Sequence, residues 1–140
     1  MAQILFSGAY GGNIIGHFIA IYYDTEYIYV YDSMNSRHLS NQHFDVLNAL
    51  FENSNPKPDI LIHHVQQETN GIDCGIFAAA NLISCLNGEN PSEKHYDEEL
   101  LRFHFSKILT TKVIEKFPCV SVANIQSRFI YFFLASSFLF

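Results

Sequence analysis

The chain has 140 residues, 49% of them apolar and 16% charged, with a net charge of −6. That length suits one domain with a single core, and the sparse charge and high apolar content exclude an intrinsically disordered chain. The acidic balance, with no Lys/Arg run, argues against a nucleic-acid backbone as partner. Three scattered cysteines, Cys74, Cys85 and Cys119, form neither a paired disulfide framework nor a zinc pattern, and no metal or other cofactor is expected. The N-terminal residues lack a secretory signal, so reduced thiols and an intracellular setting, nucleus or cytoplasm, are expected.

In chain order, residues 1–16 carry Gly8, Gly11, Gly12 and Gly16 among short apolar patches and read as a loop leading into a strand. The Lys-Ser/Thr of a phosphate-binding loop is absent after these glycines. His17 to Tyr23 is β-branched and aromatic, Asp24-Thr25-Glu26 makes a tight turn, and Tyr27 to Tyr31 is a second strand, so the three form an antiparallel hairpin. His17 opens the first strand and Asp32 follows the second, which puts both at one end of the hairpin within reach of a hydrogen bond. Each also has an ordinary reading, a solvated edge histidine and a turn aspartate.

Ser40 suits an N-cap, and Asn41 to Phe51 carries Phe44, Leu47, Leu50 and Phe51 at helical spacing. Asp59 to Val65 reads as a third strand. His63 and His64 alternate faces on it and are expected to be structural or solvated. The strand delivers the chain to Gln66-Gln67-Glu68-Thr69-Asn70-Gly71-Ile72-Asp73, a polar turn with an Asn-Gly step, and then to an Ala-rich apolar helix beginning at Cys74. Asp73 stands where an N-cap belongs, its carboxylate available to the first-turn amides. Amides and dipole at a helix N-terminus stabilise an anion, the setting in which a thiol becomes a nucleophile. A small buried apolar cysteine that merely starts a helix is the other reading.

Asn87-Gly88-Glu89-Asn90-Pro91 stops that helix, and Tyr96 to Leu109 reads as a further helix with Asp97, Glu98 and Glu99 in its first turn and a broad apolar face. Residues 129–140 are an uncharged run of aromatics and aliphatics, too short to cross a bilayer as a helix, so no transmembrane span is expected.

A thiol nucleophile needs a base to take its proton, the base needs a group to orient it, and the tetrahedral intermediate needs donors for its oxyanion. Cys74, His17 and Asp32 fit the first three roles. The Cys74 backbone N–H with the amide of Gln66 or Gln67 fits the fourth. Gly16-His17-Phe18, Val30-Tyr31-Asp32-Ser33 and Gln66-Gln67-Glu68-Thr69-Asn70-Gly71-Ile72-Asp73-Cys74-Gly75-Ile76-Phe77, in that order, resemble the Ulp/SENP-type cysteine peptidases that act on SUMO and related ubiquitin-like modifiers. The resemblance covers about residues 13–118 and extends to peptidase-like domains of transposable elements. It implies an α+β fold with a papain-like or adenain-like core, a small mostly antiparallel sheet flanked by helices. Residues 1–118 would then be a shortened peptidase domain lacking the N-terminal portion of the family domain, and 119–140 an apolar tail.

By the same resemblance His17 is general base and acid, Asp32 its orienting partner and Cys74 the nucleophile. Phe18, where the family usually has Trp, lines the substrate channel with Asn70 and Gly71. The position six residues before the cysteine, usually an oxyanion-binding Gln, is Glu68, so Gln67 would have to supply the amide, with Gln66 or the Glu68 position as alternatives. The activity implied is cleavage at the C-terminal glycine of a ubiquitin-like protein of SUMO or NEDD8 type, the alternative being an impaired relative that only binds a ubiquitin-like protein or another partner.

Overall fold

The structure is a computed structural model and describes residues 1–8, 16–34 and 38–122. It is a small α+β fold whose main sheet has four strands in the order β1 (Ala2–Ser7), β2 (His17–Tyr23), β3 (Tyr27–Tyr31) and β4 (Asp59–His63). The β1·β2 and β2·β3 pairings are antiparallel and β3·β4 is parallel. The predicted hairpin forms with Ala20 opposite Tyr31 and Tyr23 opposite Ile28. Asp24 builds its turn, one carboxylate oxygen accepting from the main-chain N–H groups of Glu26 and Tyr27, both at 2.9 Å. The N-terminal segment differs from expectation. Ala2–Ser7 is a strand rather than a loop, its alternating Ile4 and Leu5 pairing with Ala20 and Ile19.

Side-chain alternation gives the sheet two apolar faces. Ile19, Ile21, Ile28 and Val30 pack against Leu47 and Phe51 of α1 (Asn41–Leu50) and its C-cap. Ala20 and Tyr31 pack against Ala78 and Cys85 of α2 (Cys74–Leu86) on the other side. Ser40 caps α1 as expected, its hydroxyl accepting from the His43 N–H at 3.2 Å. The buried stripe of α1 is His43, Leu47 and Phe51, spaced by four, while Phe44 and Leu50 face outward. The predicted spacing was right in period and displaced in phase, because a histidine occupies a core position.

α2 lies in the centre, nine of its thirteen residues buried, which explains its lack of charge. Its far side meets α3 (Glu98–Thr111) and a second small sheet of β5 (Lys94–Tyr96) and β6 (Cys119–Ser121) through Phe77, Ile83, Tyr96, Leu101, Ile108 and Phe117. Asp97 caps α3, accepting from Glu99 and Leu100. The broad apolar face expected for α3 is only partly covered: Leu101 and Ile108 are buried, whereas Leu100, Phe103 and Leu109 are exposed. Among the described residues no helix is long and apolar enough to cross a membrane. The apolar run 129–140 lies outside the described residues.

Candidate active site

Three segments meet at the end of the main sheet where β2 begins. His17 Nε2 lies 2.9 Å from Asp32 Oδ1, the hydrogen bond that the hairpin reading expected. Asp32 is fixed in turn, since the same oxygen accepts from the Met34 N–H at 2.8 Å and the residue is only 3% exposed. A carboxylate only accepts, so Nε2 carries the proton in the neutral ring and Nδ1 is the basic nitrogen. Nδ1 is buried and has no hydrogen-bond partner among the described residues.

Cys74 is the first residue of α2 and is buried at 5% exposure. The turn before it is laced to the segment after β3: the Glu68 N–H donates to Ser33 O at 2.9 Å, and the Gln67 amide donates to Asp32 O at 3.1 Å. On the other side, Gly75 approaches Phe18 so closely that a β-carbon there would sit 3.3 Å from the ring. The residue after the thiol therefore touches the residue after the imidazole. Alternation sends Phe18 to the α2 face and His17 to the α1 face, so base and thiol approach the end of β2 from its two sides. No hydrogen bond joins Cys74 to His17 in this unliganded arrangement.

Asp73 is the N-cap of α2, yet its side chain makes no cap bond. Its carboxylate pairs instead with Arg102 of α3 at 2.6 Å and accepts from the Asn70 amide, while its carbonyl takes the Ile76 and Phe77 N–H groups. The expected carboxylate cap is thus replaced by an ion pair, and the first-turn amides beside Cys74 are left without an Asp73 side chain upon them.

The three residues considered as oxyanion donors have different fates. The Gln66 amide donates to Tyr96 O and Glu98 and its carbonyl accepts from the Tyr96 N–H at 2.6 Å, tying the turn to β5 and α3. The Gln67 amide is spent on Asp32 O and, at 2.9 Å, Val65 O. Glu68 turns toward the helix start, where Oε2 accepts from the Asp73 N–H at 2.7 Å and Oε1 is buried without a partner. Burial, reinforced by the nearby Asp73 charge, raises the Glu68 carboxyl above the usual carboxylate range, and His17 also lies within electrostatic reach.

A groove of about 480 Å3 runs over Cys74, lined by Gly16, Phe18, Gly71, Ile72 and Gly75 among others. Phe18 and Gly71, two of the three residues expected to line a substrate channel, line this groove. Gly71 holds a φ of +69°, a left-handed turn, and no atom would lie within 4 Å of a β-carbon placed there. Asn70 instead builds the turn, its side-chain oxygen accepting from the Ile72 N–H. His63 packs against the Tyr29 and Tyr31 rings and His64 is exposed, both away from this site. Among the described residues no cluster of His, Cys, Asp and Glu has metal-binding geometry.

Sequence reading missed His43, Glu98 and Arg102. The i, i+4 spacing of His43 with Leu47 was the available signal for the first. The other two owe their place to the docking of α3. No protein-family model, curated protein or solved structure matches the chain.

Proposed function

We propose that the chain is a thiol hydrolase of the Ulp/SENP peptidase type, with a papain-like or adenain-like core, cleaving at the C-terminal glycine of a ubiquitin-like modifier such as SUMO. The observation that carries this reading is the 2.9 Å His17–Asp32 hydrogen bond, which leaves a buried unpartnered Nδ1 at the sheet end where α2 presents Cys74. His17 Nδ1 takes the thiol proton, and the sulfur attacks the glycine carbonyl. The carbon–nitrogen bond breaks, the imidazolium returns its proton to the leaving amine, and a thioester remains. Water activated by the same nitrogen then hydrolyses the thioester and regenerates the thiol. Proton transfer requires the His17 ring, on the α1 face of β2, and the Cys74 sulfur, on the α2 side, to meet around the end of that strand. The groove over Cys74 has glycines at Gly16, Gly71 and Gly75, which leave room for a glycine-terminated tail, between the apolar side chains of Ile4, Phe18, Ile72, Ile76 and Phe105.

A second reading, a binder of ubiquitin-like proteins with impaired catalysis, is favoured by Glu68. A carboxylate near the developing oxyanion opposes it. The test is a panel of SUMO, NEDD8-type and ubiquitin probes bearing a C-terminal electrophile. Wild type should form a covalent adduct with one of them, and Cys74→Ser should form none while keeping its circular dichroism spectrum and thermal midpoint. Adduct formation near the wild-type rate in Cys74→Ser would exclude Cys74 as nucleophile. Tight non-covalent binding without an adduct would establish the second reading.

A further inference from the structure

α1 places a histidine beside the His17–Asp32 pair. His43 is 1% exposed, and its ring centroid lies 5.9 Å from that of His17 in an edge-on arrangement with a 60° angle between planes. His43 Nε2 is buried with no hydrogen-bond partner among the described residues. Histidine is an expensive choice for such a position, since an aliphatic residue would fill the space without a buried unpaired nitrogen.

We infer that His43 is a positioning residue: from the α1 side it holds the His17 ring edge-on and in bond with Asp32, so that Nδ1 stays the free basic nitrogen. This rests on the proposed role of His17 and adds a group outside the resemblance to it. Among the described residues the ionisable groups facing His43 are His17 from β2 and Asp32 after β3, with Glu68 near both, and β1 contributes no ionisable side chain. Burial, and then the His17 charge, lower the proton affinity of His43, which keeps it neutral beside an imidazolium. Protonating it places a second cation against His17 and competes for Asp32.

The experiment is nuclear magnetic resonance of histidine ring nitrogens in the full chain, which needs no turnover. In wild type the His17 Nε2–H should be a downfield, slowly exchanging proton. In His43→Phe and His43→Gln its exchange should speed by about tenfold or more, as expected when a local hydrogen bond opens more readily. The exposed-site control His64→Gln should leave it unchanged. Unchanged exchange in a folded His43 variant overturns the proposal. Should both variants fail to fold, wild type decides: the His17 ring signals must show a second inflection at the pH where His43 titrates, and a single inflection overturns the inference. A silent Cys74 in the probe panel would sink the hydrolase reading and leave this readout intact, so the two failures are distinguishable.

Discussion

Under the proposed function, Glu68 is the residue expected to limit the rate. Its Oε2 already accepts from the Asp73 N–H, so Glu68→Gln keeps that bond through the amide oxygen and puts an NH2 where a buried oxygen now has no partner. A single oxyanion donor is worth 10²–10³ in rate when removed from a working site, so the substitution should raise the rate of thioester formation by roughly tenfold or more at pH 7.5. An unchanged or lower rate would show that the main-chain amides already suffice. The pH dependence follows from the direction of the shift. Glu68 binds its proton more tightly in the fold, so its ionised form costs stability as pH rises through its raised value, and its neutral form can donate below it. The advantage of Glu68→Gln over wild type should therefore shrink as pH falls, as a pH–rate profile would show. His43 has the opposite linkage. Its proton affinity is lowered by folding, so the unfolded chain takes up the extra proton and stability falls as pH drops below the ordinary histidine range.

At the scale of elements, α3 sets the geometry of the turn before Cys74. Glu98 accepts from the Gln66 amide and the Thr69 hydroxyl, at 3.1 and 2.8 Å, and Arg102, one helical turn later on the same face, pairs with the buried Asp73 carboxylate. The Arg102 side chain is 57% exposed, so solvent screens the pair and its worth is modest. Removing it leaves a carboxylate at 5% exposure with only the Asn70 amide. Arg102→Ala should cost about 1–2 kcal/mol in urea unfolding and slow Cys74 labelling by the glycine-terminated probe. Arg102→Lys should recover part of both. A variant as stable and as reactive as wild type would show that Asn70 and the Glu68 bond hold the turn alone. The hairpin and the cap of α1 were legible because they are local: Asp24 and Ser40 bond amides two or three residues away. Asp73 looked the same in sequence, but a cation from a distant helix competes for its carboxylate. Asp97, read as a first-turn residue of a helix from Tyr96, is instead its cap, because Tyr96 is drawn into β5.

For the whole molecule, α2 is the shared wall of two cores, one against the sheet and one against α3 and the small sheet. Phe77, at 1% exposure, sits in the second, and Phe77→Ala should cost about 3–5 kcal/mol, a large part of the stability of a domain this size. Phe103→Ser, at a site 72% exposed, should change it by less than about 0.5 kcal/mol. Chemical denaturation of both variants tests whether Phe77 of α2 faces the core and Phe103 of α3 faces solvent. An equal cost at Phe103 would contradict the packing. By itself the sequence determined the elements set by short-range chemistry: the 17–31 hairpin, the polar turn, the apolar helix headed by Cys74, and the closeness of His17 to Asp32, which strand pairing enforces. The tertiary structure alone decided that residues 2–7 join the sheet, that Gln66 and Gln67 bind the scaffold while Glu68 accepts from the Asp73 N–H at the helix start, and that His43 backs His17. Each of those depends on which distant donor or acceptor packing delivers, and burial makes such partners compulsory without saying in advance which they are.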